Sequence, residues 1–282
     1  MKRINIALTT GLFTALTLLA TVPVVAKEWK TIRIATEGAY APWNFHDAGG
    51  KLVGFEIDLA KELCKRAKVQ CEIMAQDFSG AIPGLNAGKF DAIMAGMNIN
   101  ARRREAIDFS IPYAVVPLGF ASPVSSPLAK LPRGKKFDLV KDAAGAQQAI
   151  TELKSAFKGK TLGVLSATGS SAWVEKEFGD VVQLSRYKTA EQHDLDMKAG
   201  RIDAAVALET YWVATLAKPE NQSLAMFGPL FVGGALGEGV AVGIRKREPE
   251  LKKLLDDQID AMKKDGALKT LMQKWFRADL TP

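Results

Sequence analysis

Apolar and polar residues alternate through Thr31-Ile32-Arg33-Ile34-Ala35-Thr36, the two-residue period of a half-buried strand. A loop with Gly38, Pro42, Asp47 and the Gly49-Gly50 turn follows. From about 56 to 68 the period lengthens. Leu59 or Ala60, Leu63, Cys64 and Ala67 then share one face, which predicts an amphipathic helix. Ala87-Gly88-Lys89-Phe90-Asp91-Ala92-Ile93-Met94 reads as a helix end, a glycine stop and a buried strand. The phrase returns as Ala199-Gly200-Arg201-Ile202-Asp203-Ala204-Ala205-Val206. A second strand pattern, Thr161-Leu162-Gly163-Val164-Leu165, stands ahead of it as Thr31 to Thr36 stands ahead of the first. The spacings differ, 56 residues from Thr31 to Ala87 against 38 from Thr161 to Ala199. Two related but unequal α/β lobes explain this more economically than chance likeness of two short stretches. The stretch 122–156, rich in Pro, Ser, Lys and Ala, reads as a surface excursion of the second lobe. From Glu248 onward two helical stripes are separated by Asp265-Gly266. Leu251, Leu254, Leu255, Ile259 and Met262 form one; Leu268, Leu271, Met272, Trp275 and Phe276 form the other.

The first 26 residues follow another rule. Lys2 and Arg3 precede an apolar run from 6 to 20, and Val24-Val25-Ala26 offers small residues at a cleavage point. This order predicts an export signal, and the run is short for a membrane anchor and is followed by Pro23. No later stretch approaches the ~20 apolar residues of a spanning helix. The 282 residues suffice for two modest lobes. In an exported chain, two cysteines close together are expected to pair, so Cys64 and Cys71 predict a disulfide. No neighbouring histidine or third cysteine completes a metal shell there. Loss of the leader removes two positive charges and lowers the formal net charge from +7 to +5. The remaining basic residues alternate with acids, as over 248–264, which describes solvated helix faces and not a nucleic-acid surface.

Ligand chemistry has one cue independent of any family. Thr168-Gly169-Ser170-Ser171 follows a strand and precedes a helical pattern containing Trp173, Val174 and Phe178. A helix N-terminus with free amides favours an anion, though an ordinary cap at Ser170 fits the same residues.

The mature chain resembles the polar amino-acid class of periplasmic binding proteins that serve ABC importers. The phrases that carry the likeness are Thr36 to Trp43 (TEGAYAPW), Gly54-Phe55-Glu56-Ile57-Asp58-Leu59, Leu63-Cys64 to Cys71, Phe90 to Met94, Ala199 to Ala204 and Gly243-Ile244-Arg245-Lys246. Met226-Phe227-Gly228-Pro229, Gly233-Gly234 and Gly237-Glu238-Gly239-Val240 are similar to the opine-binding members. The resemblance implies an α/β, two-lobe periplasmic-binding-protein architecture with a two-strand hinge and a discontinuous first lobe. Residues 27–115 and 231–282 would form lobe one and 116–230 lobe two. It also implies a monomer that captures a small amino-acid-like ligand and docks on permease subunits in the inner membrane. No cofactor, metal or nucleic acid is expected.

By the same resemblance Arg103, among three consecutive arginines, forks onto the ligand α-carboxylate. Tyr40 and Phe78 match the two aromatic positions that flank the ligand stem. Glu37 and Glu56 match acidic positions near the distal end of basic ligands; at Glu56 a simple helix start fits equally well. Gly169 and Ser170 contribute the helix N-terminus, and Gly96 its backbone. Asn98 offers its amide, whereas Ala95 cannot replace the hydroxyl that relatives carry. The acid that neutralises the ligand ammonium in those relatives aligns with Leu208. Glu209 is adjacent, but one residue along a strand points the other way. A buried ammonium without a carboxylate is costly, so the pattern favours an opine or another N-substituted or guanidino compound. Two other readings stay open: a periplasmic enzyme of the cyclohexadienyl dehydratase type, with Glu37, Glu56 or Glu209 as acid, and a sensor that presents its ligand to a receptor.

Overall fold

The computed structural model describes residues 28–282; the expected export signal lies outside them. The first part of the chain forms β1 (Thr31–Thr36), β2 (Ala39–Tyr40), β3 (Asn44–His46), β4 (Leu52–Val53), α1 (Phe55–Ala67), β5 (Gln70–Ala75), α2 (Phe78–Asn86), β6 (Ala92–Ile93), α3 (Ala101–Ala106) and β7 (Asp108–Phe109). The second part forms β8 (Leu118–Pro123), β9 (Lys136–Asp138), α4 (Ala143–Phe157), β10 (Lys160–Leu165), α5 (Gly169–Phe178), β11 (Val182–Tyr187), α6 (Ala190–Lys198), β12 (Ala204–Leu208), α7 (Glu209–Leu216) and β13 (Leu224–Val232). The chain then returns as β14 (Gly243–Ile244), α8 (Pro249–Lys264) and α9 (Ala267–Phe276).

Two large sheets result, one per lobe, beside a small three-stranded sheet of β2, β3 and β4. The first has the order β5-β1-β6-β14-β7, so a strand from the end of the chain is built into the sheet begun at Thr31. The second has the order β11-β10-β12-β8-β13-β9. The last strand of this sheet runs to Val232 before the chain leaves. The chain passes between the sheets twice, and the passages bond to each other: Tyr113 N–H donates to Val240 O at 2.9 Å, and Val240 N–H to Ala114 O at 2.7 Å. This paired crossing is the two-strand hinge.

The repeated phrase has one structural meaning in both lobes. Gly88 and Gly200 sit just beyond the ends of α2 and α6 with φ of +76° and +71°, a left-handed stop that glycine adopts without a Cβ clash. The aspartate three residues on then ties the helix exit to the first strand of the sheet. Asp91 accepts from Arg33 N–H at 3.0 Å and Asp203 from Thr161 N–H at 2.8 Å. Both aspartates also hold a basic side chain, Arg33 in one lobe and Lys160 in the other.

In the first lobe this tie is the heart of a buried network. Asp91 also accepts from Arg245 at 2.9 Å, and Arg245 is itself buried and paired with Glu248. Burial alone would raise the Asp91 carboxyl, but bonds from Arg33 and Arg245 more than reverse this and hold it at about 2. Because the folded value lies below the unfolded one, this stabilisation is present above the usual carboxylate range and lost as pH falls toward 2. Asp91→Ala is expected to cost about 3 kcal/mol in urea unfolding at pH 7, since it removes the carboxylate that Arg33 and the buried Arg245 share and leaves Arg245 with Glu248 as its acid. The difference from the unaltered protein should shrink steadily below pH 4.

The stretch 122–156 is more than a surface excursion. It supplies β9, an edge strand of the second sheet, and α4, whose Ala146, Ile150, Leu153 and Phe157 are buried. Phe157 is fully enclosed, 5.3 Å from Phe120 and 5.2 Å from Phe178. Polar composition conceals the helix, but the apolar positions recur at its period. The disulfide forms between Cys64 and Cys71, with Cα atoms 5.9 Å apart, joining the end of α1 to β5. No helix among the described residues is long and apolar enough to cross a membrane.

Candidate ligand-binding site

In a parallel sheet, the loops beyond the carboxyl ends of the strands carry the free amides and exposed side chains, and ligands bind there. Both lobes obey this rule and face each other. Glu37 follows β1, Phe78 opens α2, and Ala95 to Asn98 follow β6. From the other lobe come Ser166 to Ser170 after β10, Lys188 after β11 and Leu208 at the end of β12. Together they enclose a cavity between the lobes.

The three arginines are sorted by α3. Asn100 Oδ1 caps this short helix by accepting from Arg103 N–H at 2.9 Å. The helix turns Arg103 inward, 7% exposed, and leaves Arg102 and Arg104 on the surface. The Arg103 guanidinium donates to Asn98 O at 2.8 Å and, across the cleft, to Ala167 O at 3.4 Å. Its plane lies 5.3 Å from the centre of the Phe78 ring. No carboxylate pairs with it among the described residues. Burial, and next the charge of Arg102, lower its pKa to about 10. Such a cation is short of an anion.

Next to it, α5 presents its N-terminus. Thr168 is the cap, accepting from Ser171 N–H at 3.0 Å, so Ser170 is not the cap. The first amides of a helix lack intrahelical acceptors, and Gly169 and Ser170 line the cavity. The Arg103 end of the cavity thus presents a buried cation beside a helix N-terminus, a pairing that can receive an anion.

Tyr40 closes one wall. Its ring stacks on Tyr211 of the other lobe at 5.0 Å, and its hydroxyl accepts from Leu208 N–H at 3.1 Å. Trp43 Nε1 donates to Thr210 at 2.9 Å, so the lobes meet in a closed arrangement. Beside them Val206, Ala207 and Leu208 form an apolar wall with no carboxylate. Glu37, also in the lining, is held with its pKa at about 7, by burial first and then by the charges of Glu56 and Asp77.

Eight expected residues meet in this cavity: Glu37, Tyr40, Phe78, Gly96, Asn98, Arg103, Gly169 and Ser170. Glu56 does not reach it. It is fully buried behind the wall, where its carboxylate accepts from Asn44 at 2.6 Å, from Gly96 N–H at 2.8 Å and from the Tyr113 hydroxyl. The Gly96 amide is therefore already engaged and cannot serve a ligand. Glu209 also lies outside the cavity. The strand ends at Leu208 and Glu209 begins α7, so strand alternation does not govern its direction. Leu165, Ser166 and Lys188 were not anticipated as lining residues. Lys188 and Ser166 follow neighbouring strands at matching positions, a signal available only once the strand order is known.

Two hinged α/β lobes closing on an unpaired arginine define a protein that traps a small solute. The chain belongs to the bacterial extracellular solute-binding proteins, family 3, whose pattern matches residues 32–278. It is 42% identical to the octopine-binding periplasmic protein of Rhizobium meliloti, over 91% of this chain and 94% of that one. It is 31% identical to the L-arginine-binding protein of Pseudomonas aeruginosa, over 89% and 90% of the two chains. An ancestral arginine-binding protein solved with arginine superposes with a TM-score of 0.74 at 30% identity, covering 88% of this chain and 98% of that one. These relatives are binding proteins, which favours binding over the dehydratase reading.

Proposed function

We propose that this protein is the substrate-binding component of an ABC importer and captures an opine or a related guanidino amino acid in the periplasm. After export by its N-terminal signal it works as a monomer and delivers its ligand to inner-membrane permease subunits. The observation that carries the reading is the buried Arg103 without a carboxylate partner, set beside the N-terminus of α5. The ligand α-carboxylate takes that place, with Tyr40 and Phe78 along its stem and Glu37 at its cationic tip. The apolar wall at Leu208 disfavours a primary ammonium and is compatible with a substituted amine. The octopine-binding relative supports the same choice.

The deciding experiment is a thermal-shift panel with arginine, lysine, histidine, glutamine, octopine, nopaline and prephenate on ligand-stripped protein. A ligand at 100 times its Kd stabilises by about 2.7 kcal/mol, which moves the melt visibly. An opine or guanidino compound is expected to give the largest shift. A response to prephenate alone would sink the binding reading and point to the enzyme.

Glu37 makes the affinity pH-dependent. In the closed arrangement burial raises its carboxyl to about 7, and a guanidinium tip binds the ionised form. Binding below pH 7 must then expel a proton. Affinity for arginine-type ligands should rise with pH, about tenfold per unit between pH 5 and 7 at most, and level off above. Titration calorimetry of Glu37→Gln should give weaker binding without that slope.

A further inference from the structure

We propose that the groove on the outer side of Arg103 is a second anionic subsite, in which Arg102 receives a second carboxylate carried by the ligand. The inference rests on the reading of Arg103 as the receptor of the ligand's first carboxylate.

The cavity holds about 50 Å³, and a groove of about 770 Å³ lies beside it between the lobes. Arg103, Thr168 and Gly169 line both, so these residues stand between the cavity and the groove. Small side chains, among them Ala106, Ala167, Ala172 and Ala235, make the groove wide. An arm carried by a ligand at Arg103 would pass the 3.4 Å contact between Arg103 and Ala167 O and enter this groove.

The groove is also cationic. Arg102, Lys176 and Arg186 line it against a single acid, Glu175, and that acid is engaged by Arg186 at 2.9 Å. Arg102 has no ion-pair partner among the described residues, whereas Arg104 is paired with Glu238 at 2.8 Å and does not line the groove. The charge of Arg102 is felt at Arg103, whose pKa it helps to depress. One carboxylate relieves one of these two neighbouring cations, and a second carboxylate on the same ligand relieves the other. The ligand chemistry that fits is an amino acid whose nitrogen bears a carboxyalkyl arm. That arm also removes the primary ammonium for which the Leu208 wall has no acid.

The test is calorimetric titration of the exported protein with octopine, which has two carboxylates, and arginine, which has one. Arg102 is exposed, so Arg102→Gln retains the fold, and Arg104→Gln removes the same charge one residue away. Arg102→Gln should weaken octopine about tenfold and arginine less than twofold, as for loss of one charge-assisted contact. Arg104→Gln should change neither. The octopine affinity of the unaltered protein should also fall more steeply with salt than the arginine affinity. Equal effects of Arg102→Gln on both ligands, or none, would overturn the subsite, as would binding of arginine without octopine. Failure of both ligands to bind the unaltered protein would overturn the reading of Arg103 as well.

Discussion

Arg103→Ala is expected to remove ligand binding almost completely, with the folded protein intact. Truncating one partner of a buried, hydrogen-bonded charge pair costs about 2–5 kcal/mol, or roughly thirty- to several-thousand-fold in affinity. In the closed, ligand-free arrangement the guanidinium is buried with no carboxylate partner among the described residues, and it donates to Asn98 O and Ala167 O. Removing it relieves a desolvated cation, so the melting temperature of ligand-free protein should change little or rise. Arg103→Lys should lie between, because an ammonium keeps the charge but cannot fork onto both carboxylate oxygens. Calorimetric titration together with thermal melts separates the two effects. A variant that binds normally would remove Arg103 from the site, and one that unfolds would make it a structural residue.

Glu56→Ala is expected to show the opposite pattern, a large loss of stability with binding affected only as the fold fails. Three donors converge on this carboxylate from Asn44, Gly96 and Tyr113. Burial pushes its pKa up, and the bonds from Tyr113, Gly96 and Asn44 oppose that rise. Deleting the acceptor leaves buried donors unpaired and opens a cavity, at about 3–5 kcal/mol. Glu56→Gln should recover only part of it, since its amide presents hydrogens to groups that are themselves donors. Urea unfolding reads the loss directly. If Glu56→Ala instead weakened ligand binding at unchanged stability, the carboxylate would belong to the site.

The contrast between Arg103 and Glu56 marks how far the sequence could be read. Both rest on a family likeness, and both are buried ionisable groups in helices. Arg103 lines the cavity because α3 is short and capped by Asn100, which leaves one of three consecutive arginines facing inward. Glu56 is turned away because Gly96 and Tyr113, 40 and 57 positions along the chain, close over it. Local pattern carries no record of such partners. The helix α4 was hidden for another reason: its polar composition outweighed an apolar period that was present at Ala146, Ile150, Leu153 and Phe157.

The sequence by itself determined the two-lobe plan and the repeated helix stop with its aspartate, whereas half of the cavity residues were found through the family likeness. The plan and the helix stop depend on backbone preferences and periodicities that act over a few residues. Tertiary structure alone decided which carboxylates face the cavity, that Lys188 and Ser166 join it, and that a cationic groove lies beside Arg103. Each of these depends on how strands distant in sequence are ordered and how one lobe closes on the other. The physical reason is that burial and charge environment are properties of assembled surfaces, and no window of the chain contains both sides.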